Sequence, residues 1–284
     1  MRAALAALAL TVATAQPTSI PWPVPSSKPL NLTMGYATVT STGTRFNWYV
    51  AILDDLSRYS QALPADGCAS RATTTATAAL HSCVVATNSG YFQFSPHPTY
   101  CTGNLVVGGA VPQWEADGLP LLAVTRNATL VGPIPRAQLG ALGVVHAVSG
   151  SGVIQAGGAP SAAGVAEASA RVRALRPGAE EVAPRTIAAI DAEGRLLLLV
   201  IDGVEALNLG VTMTEAAEVV SGGAAGFPYH TLHALNLDGG GSSTLVAAPG
   251  LLGAARVFNR PTDTDVGDIS ERAVTSIACI AAAA

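Results

Sequence analysis

The chain has 284 residues, 49% of them hydrophobic, enough to bury a core in one sizeable domain or two small ones. Only 12% of residues are charged, the formal net charge is −4 and Lys28 is the only lysine. No polyanion-binding face is encoded, which argues against nucleic acid as a partner.

In chain order, Arg2 precedes an apolar run from Ala3 to Val12 and then Ala13-Thr14-Ala15. A basic start, a short apolar stretch and an A-x-A pattern read as a cleaved signal peptide over residues 1–15. The run falls far short of the roughly 20 residues of a membrane helix, and no later segment reaches that length. Pro17, Pro21, Pro23, Pro25 and Pro29 make residues 16–29 an extended leader. The domain is then expected over 30–284. Asn31 and Asn127 head N-x-T sequons and are expected to carry glycans on a secretory route, secreted or luminal, with Golgi and endolysosomal compartments included. Cys68, Cys83, Cys101 and Cys279 make an even count that fits an oxidising compartment, with three pairings open. No C-x-x-C spacing suggests a zinc site.

Short apolar runs at Tyr49 to Leu53, Cys83 to Thr87, Leu121 to Thr125 and Val144 to Val148 predict strands. Arg71 to Leu80, rich in alanine and threonine, predicts a short helix. Residues 156–183 have little apolar period and read as a variable surface insertion with one helix around Ala163 to Leu175. Thr186 to Ile190 and Arg195 to Ile201 flank the turn Asp191 to Gly194, a hairpin whose second strand is apolar throughout from Leu196 to Ile201 and so expected to be buried on both faces. Thr212 and Glu215 form a capping box ahead of Ala216 to Val220. Thr231 to Leu237, Thr244 to Ala247 and Ala273 to Ile280 predict the closing strands. Strands dominate, helices intervene irregularly and no βαβ alternation runs through the chain. The expected fold is α+β: a single strand-rich domain with a mixed or antiparallel sheet and a few helices.

The most informative stretch is LNLDGGGSSTL, Leu235 to Leu245. Side chains alternate along a strand, so Leu235 and Leu237 face the core while Asn236 and Asp238 share the other face. Gly239, Gly240 and Gly241 allow sharp bending or close approach, and with Ser242 and Ser243 their N–H groups could form an anion nest. A glycine-rich hairpin with a solvated aspartate is the plain alternative. No G-K-[ST] follows, so it is no Walker loop. Asp202 ends a second strand and supplies a second carboxylate, as glycoside hydrolysis uses; it could equally be a turn residue. Arg185 and Arg272 each open a strand and would hold phosphate bidentately if they converge on the nest. Asn88 ends the Cys83 strand, with Gly90 permitting a tight turn. His230 and His233 lack a third ligand, so no metal or other cofactor is expected.

These residues, in this order, resemble the phosphodiester glycosidase family. The likeness runs over about 68–280 and rests on CVVATNSGYF, on CTGNLVV, on Arg185-Thr186 with Asp202-Gly203, on LNLDGGGSSTL and on RAVTSIAC. It covers the catalytic domain only. The resemblance implies hydrolysis of a sugar-1-phosphodiester between the anomeric carbon and phosphate, on a glycan or glycoprotein substrate. In the animal branch this releases N-acetylglucosamine and uncovers mannose 6-phosphate on lysosomal enzymes. The family's site positions fall on Asn88, Arg185, Asp202, Asn236, Asp238, Gly239, Gly240, Gly241 and Ser242, with Arg272 nearby. With the family in view, Cys68–Cys101 would pin the Asn88 loop and Cys83–Cys279 would join two apolar strands.

On this reading Asp238 acts at the anomeric carbon, as nucleophile, stabiliser or activator of water. Asp202 is the second carboxylate, and the two roles can be exchanged. Arg185 and Arg272 hold phosphate with the glycine-rich backbone, and Asn88 and Asn236 bind the sugar. One departure stands out: the family's usual Asn-Gly-Gly is Asn88-Ser89-Gly90 here. A left-handed backbone at 89 would strain serine. A binding protein without turnover, and a hydrolase of polysaccharide phosphodiesters, are the competing readings.

Overall fold

The structure is a computed structural model and describes residues 17–21, 30–96, 99–175, 182–247, 256–262 and 270–282. The signal peptide expected at 1–15 and most of the leader lie outside these residues. Thr18–Pro21 forms an edge strand beside Ala128–Val131, with Ile20 packed against the core.

Every pairing in the three sheets is antiparallel, and α+β is the observed class. The large sheet runs in the order 159–160, 152–156, 231–236, 185–191, 196–201, 45–53, 30–39 and 224–225. Its centre is the predicted hairpin, Arg185–Asp191 with Leu196–Ile201, both strands buried at every residue. The turn closes because the Asp191 carboxylate accepts from the Glu193 and Arg195 N–H groups at 3.1 and 2.8 Å.

Alternation explains the two-sided burial. Leu196, Leu198 and Val200 enter one apolar cluster with strands of the two smaller sheets, and Leu197, Leu199 and Ile201 enter another under the helices. The second sheet comprises 18–21, 128–133, 120–124, 146–149, 105–107 and 110–113. The third comprises 256–257, 245–247, 83–88, 277–281 and 59–62. Helix α1, Thr74–Leu80, backs the third sheet, and α2, Ala162–Leu175, and α3, Met213–Val220, back the large one. The capping box forms as the sequence specifies, with Glu215 N donating to Thr212 Oγ1 at 3.1 Å and Thr212 N to Glu215 Oε2 at 2.8 Å.

Helix α2 sits closer to the core than the reading of 156–183 as a surface insertion anticipates. Ala168 is fully buried, and a Cβ on Gly164 would lie 1.7 Å from Val153 O. Small residues replace the usual apolar stripe at this contact, so no helical period was visible. The helix predicted from Arg71 instead begins at Thr74, capped by Thr73, and leaves Arg71 on an extended lead-in. Both disulfides, Cys68–Cys101 and Cys83–Cys279, form with the pairing the resemblance implies. They fit an oxidising compartment. Among the described residues no helix is long and apolar enough to cross a membrane.

Candidate active site

Two adjacent central strands build the site. Thr231–Asn236 runs antiparallel to Arg185–Asp191 with Asn236 opposite Ile187, and Leu237 N donates to Thr186 O at 2.9 Å. That register carries Asp238 to a place opposite Arg185. Both side chains line one cleft of about 350 Å³, together with Tyr91, Phe94, Glu205, Ser242 and Arg272.

Leu235 and Leu237 pack in the core, as strand alternation requires. Asp238 is held through its backbone: its N–H donates to Ser89 O at 3.0 Å, and its carbonyl accepts from Asn88 Nδ2 at 2.6 Å. One carboxylate oxygen is buried without a hydrogen-bond partner among the described residues. Burial pushes the carboxyl up to about 7, with the Glu205 charge adding to the rise. The Ser242 hydroxyl, the Arg272 charge and the Gly239 N–H oppose it. Although Ser242 Oγ faces the carboxyl, it makes no hydrogen bond of normal geometry.

The glycine run answers to crowding. A Cβ on Gly239 would stand 2.9 Å from Pro184 O, one on Gly240 2.4 Å from Glu205 Oε2, and one on Gly241 2.3 Å from Arg272 Nη2. Gly240 also has φ +59°, the left-handed region. The three glycines let a carboxylate and a guanidinium lie against backbone beside Asp238. Three of the five N–H groups of the expected anion nest are engaged inside the protein. Gly240 N donates to Pro184 O at 2.9 Å, while Ser242 N and Ser243 N close a 3-10 turn onto Gly239 O and Gly240 O. These N–H groups are spent within the protein, so phosphate would be met by arginine.

Several expected residues take other places. Asn88 is fully buried and braces the site from behind: besides Asp238 O, its Oδ1 accepts from Thr186 Oγ1 at 2.8 Å and from Thr244 N at 3.1 Å. Asn236, 1% exposed, donates to Tyr91 Oη, Ser151 Oγ and Leu237 O, under the cleft floor. Tyr91 in turn donates to Leu237 O at 2.9 Å, and burial, with the Asp238 charge, pushes its hydroxyl up to about 12. Neither asparagine lines the cleft, so both support Asp238 from within the fold. Gly90 is needed for close packing, since a Cβ there would stand 3.0 Å from Ser276 Oγ. Ser89 does not have the positive φ that would strain it, and its hydroxyl donates to Gln61 Oε1 at 2.9 Å. The sequons' asparagines, Asn31 and Asn127, are both exposed.

Asp202 lies outside the cleft, in a second pocket with Arg45, Asn47 and Arg260. Its carboxylate accepts from Asn259 Nδ2 at 3.0 Å and from Arg260 N at 3.1 Å. Asn259 accepts from Leu245 N and donates to Ser243 O, so this carboxylate supports the far side of the glycine turn. Among the described residues the second carboxylate of the cleft is Glu205, which no local pattern in the sequence marks. It opens a one-turn 3-10 helix three residues past Asp202, in an unpatterned loop with no signal beyond its charge. Arg185 is 4% exposed and anchored by its Nε on Val211 O at 3.1 Å; Arg272 stands over the Phe94 ring at 5.6 Å.

The phosphodiester glycosidase family model matches residues 81–281. Over 197 residues, 63% of this chain, the sequence is 30% identical to the N-acetylglucosamine-1-phosphodiester alpha-N-acetylglucosaminidase of Bos taurus. The matched region is 34% of that protein, so the chain spans about a third of this curated relative. Among solved structures, the fold is similar to the zebrafish N-acetylglucosamine-1-phosphodiester alpha-N-acetylglucosaminidase catalytic domain, described as auto-inhibited by its pro-peptide. That likeness has a TM-score of 0.78 at 20% identity and covers 95% of this chain and 89% of the other. A hypothetical protein from Synechocystis follows with a TM-score of 0.57 at 13% identity, over 94% of this chain and 64% of that one. At these identities the structural likeness speaks for the fold alone.

Proposed function

The chain belongs to the phosphodiester glycosidase family, and from that premise we propose that it hydrolyses a sugar-1-phosphodiester between the anomeric carbon and phosphate. The sugar released is N-acetylglucosamine, and the product a phosphomonoester such as mannose 6-phosphate on a glycoprotein, in a secretory compartment. The observation that carries this reading is the convergence of Asp238, Glu205, Arg185 and Arg272 on one cleft.

Phosphate is a good leaving group, so proton donation to it contributes little. The departing charge is what needs holding, and two guanidinium groups suit it. A carboxyl at about 7 is then best used on the other side of the reaction, taking a proton from the attacking water. Glu205 replaces Asp202 as the second carboxylate, and with Asp238 serving as the base it is the one that stands beside the positive anomeric carbon. The non-catalytic alternative drew on strain at Ser89, and the backbone there carries none.

The test is release of free sugar from N-acetylglucosamine 1-(methyl phosphate). It is run before and after limited proteolysis of the N-terminal segment, because the zebrafish relative is auto-inhibited by a pro-peptide. No release under either condition overturns the proposal. The carboxylates give a sharper comparison. Glu205→Gln is expected to lower kcat at least about tenfold, whereas Asp202→Asn stays within about threefold of the parent and shows its effect in thermal stability. The reverse pattern would return the second carboxylate to Asp202.

A further inference from the structure

Arg71 stands beside the cleft, and among the described residues it has no hydrogen-bond or ion-pair acceptor. Its guanidinium carbon lies 5.5 Å from the Phe92 ring centre, 5.4 Å from Phe94 and 5.2 Å from Tyr100. Among the described residues no carboxylate lies within ion-pair distance of it, and it donates no hydrogen bond to them. Ring faces attract a cation but take its five N–H groups only as weak N–H···π contacts, so most of that donor capacity is left for a true acceptor.

The surrounding structure fixes this arrangement. The Cys68–Cys101 disulfide ties the Arg71 lead-in to the loop carrying the aromatics, Tyr100 N donates to Cys68 O at 2.9 Å, and Phe92 bridges to Cys101. Phe94 lines the cleft yet is 59% exposed, so covering an apolar core is not its main effect. Arg272, which also lines the cleft, lies 5.6 Å from the same Phe94 ring centre. The two guanidinium carbons are therefore no more than about 11 Å apart. That is a span a diphosphate can bridge when each arginine holds one phosphoryl group through bidentate contacts.

We propose that Arg71, caged by Phe92, Phe94 and Tyr100, is a second anion subsite that selects substrates carrying a further phosphoryl group beyond the scissile phosphate. The subsite rests on the reading of the cleft as a phosphodiester site. Its ligand class is a sugar diphosphate ester or a glycan with a neighbouring phosphate, which share the second phosphoryl group.

Calorimetry with inorganic phosphate and inorganic pyrophosphate tests it on the folded protein, with melting curves run on each variant. Arg71→Gln is expected to weaken pyrophosphate about tenfold while phosphate stays within about twofold; Arg71→Lys, which keeps charge and stem, is expected to lose about threefold for pyrophosphate. Pyrophosphate affinity unchanged in both variants, or equal losses for the two anions, overturns the subsite. Failure of the parent protein to bind either anion would instead sink the reading of the cleft. Comparing N-acetylglucosamine 1-(methyl diphosphate) with a doubly phosphorylated mannose glycan then separates the two ligand sources, and the one with the larger Arg71-dependent KM difference identifies the substrate.

Discussion

Asp238→Asn is expected to remove at least about a hundredfold of kcat/KM on N-acetylglucosamine 1-(methyl phosphate) while leaving the protein folded. The amide is nearly the size of the carboxyl it replaces, and the backbone clamp from Ser89 O and Asn88 Nδ2 does not involve the side chain being changed. Stability should move the other way from activity. Asp238 has a folded value of about 7 against an ordinary value of 3.8, chiefly because burial disfavours the charged form. The folded state therefore holds its proton more tightly than the unfolded chain. Its contribution to stability is fully present below about pH 4 and is lost as pH rises to about 7. The asparagine variant carries no such loss, so at pH 8 it should melt roughly 3–8 °C above the parent, with the difference vanishing near pH 4. Equal melting temperatures at both pH values would show that the carboxyl is better solvated than its surroundings indicate.

The same titration sets a rate profile. If Asp238 takes a proton from water, kcat/KM of the parent rises with pH through about 7 and then levels. A fall through that range would assign it the acid role instead. Glu205 contributes to the position of the midpoint, since its charge is one of the influences that raise Asp238. Glu205→Gln should therefore shift the midpoint downward as well as slowing turnover.

The parts of this site legible in the sequence were those carried by local patterns. Alternation along LNLD placed Leu235 and Leu237 inward, and the capping box at Thr212 and Glu215 and the hairpin at Asp191 each depend on a few adjacent residues. What was not legible depends on register and on loops. Nothing local says that Arg185 sits opposite Asp238; that follows from pairing with a strand 49 residues away in the chain, Ile187 against Asn236. Asp202 and Glu205 are three residues apart, both acidic and both beyond the same strand, yet they enter different pockets because the chain turns at Gly203. There a Cβ would stand 2.1 Å from Leu209 O. The glycine run marks a close approach, but the groups that approach it are Glu205 and Arg272, which only the folded chain brings near.

Asn88 offers the second large effect, and one that separates two roles cleanly. As a sugar ligand its loss would raise KM and leave stability alone. In the structure its amide is fully buried and joins three segments: Asp238 O just past the end of its strand, Thr186 Oγ1 on the neighbouring strand, and Thr244 N beyond the glycine turn. Asn88→Ala leaves those groups without their partner in a dry interior, at a cost of about 3 kcal/mol, so the melting temperature should fall by roughly 6–12 °C. Below that transition the folded fraction should show a kcat reduced at least about tenfold with KM within about threefold, since the Asp238 backbone loses one of its two clamps. Asn88→Asp keeps the acceptor for Thr244 N but turns a carboxylate oxygen toward the Asp238 carbonyl, and should lose as much stability or more. A variant that melts like the parent but needs far more substrate would place the amide on the sugar after all. The joint fall in stability and kcat would identify Asn88 as a positioning residue, acting on the reaction only through where it holds Asp238.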